Sequence, residues 1–479
     1  MGNNSVKFNF LLNAAYQLLK IALPLITVPY LSRVIGSSGI GDYAFTYTVA
    51  DYFVLFGLLG LNQYGNREIA KVRDDRRLRS KTFCSIYAMQ LMFSTLVVVI
   101  YAIWAFMQNG EHRLYSLIWL WWVASDLIDV NWFFFGMEEF KITVVRNTIL
   151  KFLSLACILL FVKNEHHVWI YCLITSLNLF LSCVVLWPFL VRRVDFARPS
   201  ISEIAVHMKP NIMLFVPVMA ISVYTQMDKI LLGILADSNQ VGLYDYSEKL
   251  SKIPLALISA LSTVMLPRMS NVLAKGETSK AERYLNLSFC VAIVVGCCFA
   301  FGISGVANEF VPVFFGVGWE QCSTLMPALC VIIPLIAVSN VLGVQCLIPC
   351  GRDKTYAISV VVGAVVNVLL NIILIPSYQA FGAVVATVAA ELAVLLIQLA
   401  CLSRELPLKQ WLAPVVCSVA SGLAMFICLR IIGYLMGVSL LTVAIEVFSG
   451  AVVYTLSIAA LLKITKHPLL DSVKSILKR

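Results

Sequence analysis

Ionisable side chains recur inside long apolar stretches of this sequence, at spacings that place several of them on one helix face. The clearest case is an i, i+3/i+4, i+7 pattern formed by Asp245, Glu248, Lys249 and Lys252. Lysines bind phosphate oxygens through charge-assisted hydrogen bonds, so this face could bind an anionic group. The competing interpretation is that Glu248 and Lys252, one turn apart, only neutralise each other.

Further charged residues interrupt three other apolar stretches. They are Lys20, Asp51, and the neighbouring pair Asp228 and Lys229, while Arg33 directly follows the stretch that contains Lys20. Lys20 has no acidic neighbour on its own helix face, which favours a binding role, whereas Asp228 and Lys229 could neutralise each other. Together with Glu248, Lys249 and Lys252, these residues are the predicted site, which we expect to line one shared cavity.

The composition indicates what kind of elements position these charges. The chain has 479 residues, of which 60% are hydrophobic and 13% charged, and its mean hydropathy is +0.88. Soluble proteins carry about 25% charged residues, so the composition excludes a soluble multidomain enzyme and a disordered chain. We expect an all-α polytopic membrane protein, because one span and its loop use roughly 30–35 residues and the length allows about 14 spans.

The apolar stretches and the polar clusters between them predict where the spans lie. The predicted spans are 9–32, 43–65, 83–107, 114–136, 143–162, 168–190, 208–235, 243–267, 284–304, 322–349, 356–376, 381–402, 412–433 and 441–462. Residues 310–319, between the ninth and tenth predicted spans, could lie at the membrane surface.

The distribution of Lys and Arg predicts the orientation. Most of them fall in the two termini and in the loops after even-numbered spans, whereas the odd-numbered loops contain Arg33, Arg113 and Lys163. Because positive loops stay in the cytoplasm, we expect 14 spans with both termini cytoplasmic.

An internal repeat suggests two related halves. The segments Ile40-Gly41-Asp42-Tyr43 and Val241-Gly242-Leu243-Tyr244 are 201 residues apart, and Arg67 and Arg268 match at the same offset. We therefore expect two parallel six-helix lobes around a central cavity, at 1–200 and 201–408, followed by two extra helices and a tail at 409–479. Parallel repeats of this kind are a transporter architecture.

Several short motifs carry a resemblance that covers essentially the whole chain. The sequence reads PYLSRVIG at 29–36, GDY at 41–43, YGNREIA at 64–70, and FFG followed by WE at 314–320. It resembles the Wzx-type polysaccharide flippases of the multidrug/oligosaccharidyl-lipid/polysaccharide superfamily. The later motif marks only the superfamily, whereas the N-terminal ones are more specific to the polysaccharide branch.

This resemblance implies that the protein flips oligosaccharide units linked to undecaprenyl pyrophosphate across the bacterial inner membrane. Membrane lipids and a coupling ion, a proton or sodium, are further expected partners. No cofactor is expected, and no nucleic acid either, because basic residues of membrane proteins collect in cytoplasmic loops. A cationic cavity would suit a pyrophosphate. The chain has no P-loop motif, so ATP hydrolysis by this chain is not expected.

Two other functions stay open at this point. A drug or cation antiporter of the same superfamily would need an acidic cation site and usually has 12 spans, which the 14 predicted spans and the basic character of the site oppose. A membrane polymerase or acyltransferase would need a catalytic set in an outer loop. The longest predicted outer loop, about 17 residues, holds no such set.

Two further expectations concern charges within the spans. Asp51 and Lys252 are 201 residues apart and occupy equivalent positions of the repeat, so we expect both to face the central cavity. The alternative is that Glu248 holds Lys252 and that a hydroxyl such as that of Thr48 holds Asp51. We expect Glu391, Arg430 and Glu446 to pair between helices, because an unpaired charge in a bilayer is costly.

Overall fold

The structure, a computed structural model, describes residues 23–465. Nearly all of this part of the chain is helical and it contains no strand, which confirms the predicted all-α class. The chain forms two compact units, one that extends to Gly233 and one that begins at Ile234. The predicted domain limits at 200 and 408 stay a prediction.

The first unit consists of ten helices within the described residues. They are α1 (23–34), α2 (Gly36–Leu58), α3 (Leu61–Val72), α4 (Arg76–Met107), α5 (Gly110–Ser125), α6 (Asn131–Gly136), α7 (Phe140–Phe161), α8 (Val168–Val184), α9 (Trp187–Leu190) and α10 (Ile201–Leu235). A 3₁₀ turn at Glu165–His167 precedes α8, and the last two residues of α10 fall past the unit limit.

The second unit contains eight helices before residue 466. They are α11 (Ser238–Lys252), α12 (Leu255–Ala274), α13 (Thr278–Phe314), α14 (Cys322–Cys330), α15 (Ile332–Leu342), α16 (Asp353–Leu402), α17 (Leu408–Met436) and α18 (Leu440–Ile464). A short π-helical segment, Gly343–Leu347, follows α15. The segment predicted to lie at the membrane surface begins inside α13, since Phe310–Phe314 forms its last turn.

Eleven helical segments of the described chain are long and apolar enough to cross a membrane. One of them, Asp353–Leu402, contains two predicted spans, because Gln379 has non-helical backbone angles (φ 51°, ψ −132°). The first predicted span lies mostly outside the described residues. The multi-pass membrane architecture is confirmed, whereas the count of 14 spans is not.

The predicted span 114–136 is not one continuous helix. α5 ends at Ser125 after 16 residues, about 24 Å of helix, which is short for a hydrocarbon core of about 30 Å. Side chains of Tyr87, Gln90 and Trp187 donate hydrogen bonds to the carbonyl oxygens of residues 126–129 at 2.6–2.9 Å. These donors replace the helical hydrogen bonds, which explains how non-helical backbone persists here.

The predicted span 243–267 is also broken, between α11 and α12. Pro254 stands at the break; it has no backbone N–H and cannot continue the helical hydrogen bonding. The equivalent helices of the first unit, α2 and α3, break at Leu59 and Gly60.

Helix starts repeat along the chain as the sequence repeat predicts. α2 starts at Gly36 and α11 at Ser238, and α4 starts at Arg76 and α13 at Thr278. These starts are about 202 residues apart in both cases, close to the offset of the sequence repeat. The two halves of the sequence repeat therefore share the order of their helices and helix breaks, as well as a few residues.

Small residues let the C-terminal helices pack closely on α13. A Cβ atom at Gly422 of α17 would collide with the Phe301 ring, and one at Gly305 of α13 would come within 2.7 Å of Leu429 Cδ1. The hydroxyl of Tyr454 on α18 donates a 2.7 Å hydrogen bond to the carbonyl oxygen of Val294 on α13. This close packing, typical of helices in membranes, fixes the positions of charged residues near the ends of these helices.

Candidate functional site

The predicted site residues fall into two groups, one in each compact unit. Lys20 lies outside the described residues. Arg33 is in α1 and its side chain is exposed. Asp51 is on α2, whereas Asp228 and Lys229 are on α10.

Asp51 is held by α10. The side-chain amide of Gln226 donates a 2.7 Å hydrogen bond to Asp51 Oδ2, and the hydroxyl of Tyr52 donates to the carbonyl oxygen of Ser222 at 3.0 Å. The alternative that Thr48 holds Asp51 is wrong, because the Thr48 hydroxyl donates to the carbonyl oxygen of Ala44 at 2.7 Å.

Asp228 and Lys229 belong to the same polar cluster of the first unit. Asp228 is buried and interacts electrostatically with Tyr52, while Lys229 does so with Asp51. The positive charge near Asp51 partly offsets the cost of removing the carboxylate from water. The structure thus brings three predicted residues, Asp51, Asp228 and Lys229, into one cluster between α2 and α10.

The charged face of α11 exists, and it consists of two ion pairs. Lys249 Nζ lies 2.5 Å from Asp245 Oδ2, and Lys252 Nζ lies 2.5 Å from Glu248 Oε1. Both carboxylates are buried, whereas the Lys249 side chain is 45% exposed and the Lys252 side chain 31% exposed. The ion pair of the competing interpretation, Glu248 with Lys252, is therefore present, and its lysine stays partly accessible. That Asp51 and Lys252 both face a central cavity stays a prediction.

Of the charges expected to pair between helices, Arg430 does so, whereas Glu446 does not. Arg430 on α17 pairs with Glu309 on α13, with 2.9 Å between Nη1 and Oε2. Glu446 on α18 is fully buried, and neither carboxylate oxygen has a hydrogen-bond partner in the described part of the chain. The sequence reasoning missed Glu309 because it ended the ninth span at residue 304.

A histidine outside the predicted spans connects α5 to α2. His112 Nε2 donates a 2.9 Å hydrogen bond to Asp42 Oδ1. This hydrogen bond raises the pKa of His112 above its ordinary value of 6.5, with smaller support from the charges of Asp42 and Glu111 and against partial burial. The contact is thus strongest when His112 carries a proton.

Basic residues at the start of α4 are engaged by the segment before α10 and by the first turn of α10. Arg76 makes a two-pronged contact with Asp195, with distances of 2.8 and 2.7 Å, and Lys81 Nζ lies 2.6 Å from Glu203 Oε1. The hydrogen bond from Arg76 lowers the pKa of the exposed Asp195 carboxyl. These charges, predicted to be cytoplasmic, therefore also join helices.

Metal ligation has no support among residues 23–465, where no three His, Cys, Asp or Glu side chains are arranged to hold a metal ion. Each of the two groups offers ammonium groups and carboxylates. Such a set can bind a charged headgroup and exchange ion-pair partners.

Comparison with known proteins identifies relatives among transporters. The chain is 23% identical over 384 residues to a protein of Shigella dysenteriae named "Putative O-antigen transporter", covering 78% of this chain and 94% of the relative. A protein of the same name from Escherichia coli (strain K12) is 20% identical, covering 81% and 94%. These names agree with the prediction of a transporter, not an enzyme.

A solved structure has the same fold. It is the lipid II flippase MurJ in an inward closed conformation, with a TM-score of 0.73 at 15% identity, covering 94% of this chain and 99% of the other. At 15% identity this likeness shows the fold, and the fold agrees with the one expected from the resemblance.

The family described as "Polysaccharide biosynthesis protein" matches residues 6–273, more than half of the chain. This match includes the N-terminal motifs and both the Asp51 cluster and the charged face of α11. The chain belongs to the polysaccharide biosynthesis protein family.

Proposed function

We propose that this protein flips oligosaccharide units linked to undecaprenyl pyrophosphate across the bacterial inner membrane, for surface polysaccharide biosynthesis. Both termini are cytoplasmic in this proposal, and transport proceeds by alternating access. The family match, the O-antigen transporter relatives and the fold shared with a lipid II flippase support it.

The observation that carries the proposal is the charge arrangement on α11. Lys249 and Lys252 are each paired with a buried carboxylate, yet their own side chains stay partly exposed. A pyrophosphate that approaches can therefore take over the ammonium groups without either lysine having to leave a buried position. Charge-assisted contacts to phosphate oxygens are about twice as strong as neutral hydrogen bonds.

The Asp51 cluster has a different role in the proposal. Gln226 and Lys229 keep the Asp51 carboxylate associated with α10, so a movement of α10 relative to α2 would expose that carboxylate. Asp51 could then take up a coupling cation, a proton or sodium. Lys20 and Arg33 would contribute further positive charge for the headgroup.

Deletion of the gene tests the function. The expected result is loss of surface polysaccharide together with accumulation of the lipid-linked unit on the cytoplasmic side. Normal surface polysaccharide combined with increased drug sensitivity would instead support the antiporter alternative and overturn the proposal.

Complementation of the deletion tests the residues. Lys249→Ala and Lys252→Ala should each reduce export, and the double variant should reduce it further. Lys275→Ala is the matched control, because this exposed lysine lies at the end of α12, outside the charged face. Equal export by the double variant and the control would remove the α11 lysines from the site.

A further inference from the structure

A separate charged cluster lies where α13, α17 and α18 meet, on helices that contain no residue of the candidate site. It consists of Glu309, Arg430 and Glu446, each on a different helix. Arg430 pairs with Glu309 at 2.9 Å and also donates to the carbonyl oxygen of Gly305 at 3.3 Å. The cluster therefore contains two carboxylates and one guanidinium group.

Glu446 is the unusual member of this cluster. Its side chain is fully buried, and both oxygens lack a hydrogen-bond partner among residues 23–465. It is nevertheless within electrostatic reach of Glu309 and Arg430. Ionised carboxylates are not stable in such surroundings without a partner, so a bound proton would remove the conflict.

Gly433 shows how closely the two carboxylates approach. A Cβ atom at Gly433 would collide with Glu309 Oε1 and would come within 2.8 Å of Glu446 Oε1. Both oxygens thus face the same point on α17, beside Arg430. Two carboxylates placed this close together do not both ionise readily, and they commonly share one proton.

The charges facing Glu446 come from both helices packed against α18. α13 contributes Glu309 and α17 contributes Arg430. If both carboxylates are ionised, the cluster has a net charge of minus one. One proton makes the cluster neutral, and Arg430 can then pair with either carboxylate.

The cluster is close to the end of its helices. Glu446 lies six residues into α18, about 9 Å from the first residue of that helix. α17 ends at Met436, six residues after Arg430. In the predicted topology this is the periplasmic side, so a proton from that side has a short path to the carboxylates.

We propose that Glu309, Arg430 and Glu446 form a proton-binding site, in which the two carboxylates share one proton and compete for Arg430. Binding forms one O–H bond on a carboxylate oxygen, and the proton comes from water. Movement of the proton from Glu446 to Glu309 transfers the guanidinium contact from α13 to α18. That this proton drives transport rests on the proposed function; the binding of the proton does not.

Infrared difference spectroscopy of the full chain in lipid nanodiscs tests proton binding without any substrate. Between about pH 5 and pH 8, the cluster should contribute a protonated-carboxyl band of about one proton per chain, in addition to any absorption from other buried carboxyls such as Asp126. Glu446→Gln leaves a simple Glu309–Arg430 pair, and Glu309→Gln leaves a simple Glu446–Arg430 pair. Each variant should therefore lose the band in this range.

Two further variants keep the test conclusive. Glu391→Gln is the matched control, because it removes another buried glutamate of the same unit and should leave the band in place. Gly433→Ala changes no charge but crowds both carboxylates, so it should shift the band. Persistence of the band in both Glu446→Gln and Glu309→Gln would overturn the proton site.

The coupling role needs a second readout. Export of surface polysaccharide in cells should decrease when a protonophore is added, and Glu446→Gln should make export low and insensitive to it. Loss of the band with undiminished, protonophore-sensitive export would overturn the coupling role. If the gene deletion leaves surface polysaccharide unchanged, the proposed function fails while the infrared result still decides on proton binding.

Discussion

Gln226 on α10 donates a 2.7 Å hydrogen bond to Asp51 on α2, across 175 residues of sequence. It lies one turn from a second contact between the same helices, from the Tyr52 hydroxyl to the Ser222 carbonyl oxygen. The helix that was predicted to open the second lobe is therefore attached to the first unit by polar contacts. Polar contacts between membrane helices can be exchanged at low cost, since their net contribution is small.

A double-mutant cycle between Gln226→Ala and Asp51→Asn should measure this contact. We expect a coupling energy of about 0.6 kcal/mol and at most about 1.7 kcal/mol, the range found for hydrogen bonds between membrane helices. The measurement is the free energy of unfolding in nanodiscs. Additive effects of the two substitutions would show that the hydrogen bond contributes nothing to stability.

The predictability of the fold differs between its parts. Composition alone predicts the all-α membrane class, and the repeat of Tyr43 at Tyr244 predicts that α2 and α11 start at equivalent positions. The break at 126–129 was not predictable, because it depends on donors such as Trp187 that come from distant helices. A hydropathy pattern shows where apolar residues lie but not which backbone carbonyls find side-chain partners.

The same limit applies to the charged residues. The spacing of Glu248 and Lys252 predicts their ion pair, because both residues are on one helix. The Glu309–Arg430 pair joins residues 121 positions apart, and no spacing rule connects them. Sequence reasoning could identify Arg430 and Glu446 as costly intramembrane charges, but their arrangement depends on how α13, α17 and α18 pack.

Lys20 tests the predicted positive charge of the substrate site. We expect Lys20→Ala to insert and fold normally but to reduce export of the saccharide, because it removes a charge available to the pyrophosphate. Lys20→Arg should retain more export than Lys20→Ala, since arginine keeps the charge. Quantification of surface polysaccharide in the complemented deletion strain checks this, and normal export by both variants would exclude Lys20 from the site.

The contact between His112 and Asp42 predicts a pH-dependent stability. Because the pKa of His112 is raised in the folded protein, the contact contributes fully below the unfolded pKa of about 6.5. Its contribution is lost as the pH rises through the raised folded value. His112→Gln should therefore lower the thermal midpoint below about pH 6.5 and have less effect at higher pH.

His166 provides the control for this experiment. It is a largely exposed histidine in the turn before α8, and His166→Gln should leave the thermal midpoint unchanged at every pH. An effect of His112→Gln that increases with pH would contradict the assigned protonation of the contact.

Reporter fusions test the predicted orientation. A fusion in the basic segment Lys71–Lys81, which includes the turn between α3 and α4, should be cytoplasmic. A fusion near Asn164, before α8, should be periplasmic. Activity of a periplasmic phosphatase and fluorescence of a cytoplasmic reporter distinguish the two sides, and a reversed result at either position would invalidate the predicted spans between them.

Gly57 on α2 gives a test of helix packing around a buried carboxylate. Asp126, at the end of α5, is 2% exposed, and its Oδ2 has no hydrogen-bond partner in the described chain. A Cβ atom at Gly57 would collide with that oxygen. Gly57→Ala should therefore destabilise the protein by about 1–3 kcal/mol, the usual cost of overpacking, measured as the free energy of unfolding in nanodiscs.

Removal of the carboxylate should reverse this effect. Asp126→Ala leaves the Asp126 carbonyl oxygen available to Gln90 and Ser94, and it eliminates a buried acceptor that has no partner. Alone it should be nearly neutral or stabilising, and combined with Gly57→Ala it should restore most of the lost stability. Gly302→Ala is the control, since its Cβ would meet only Met425 Cε at 3.6 Å, an ordinary contact. If Asp126→Ala destabilises the protein as much as Gly57→Ala and the two effects add, Asp126 has a stabilising partner, and the steric explanation for Gly57 is wrong.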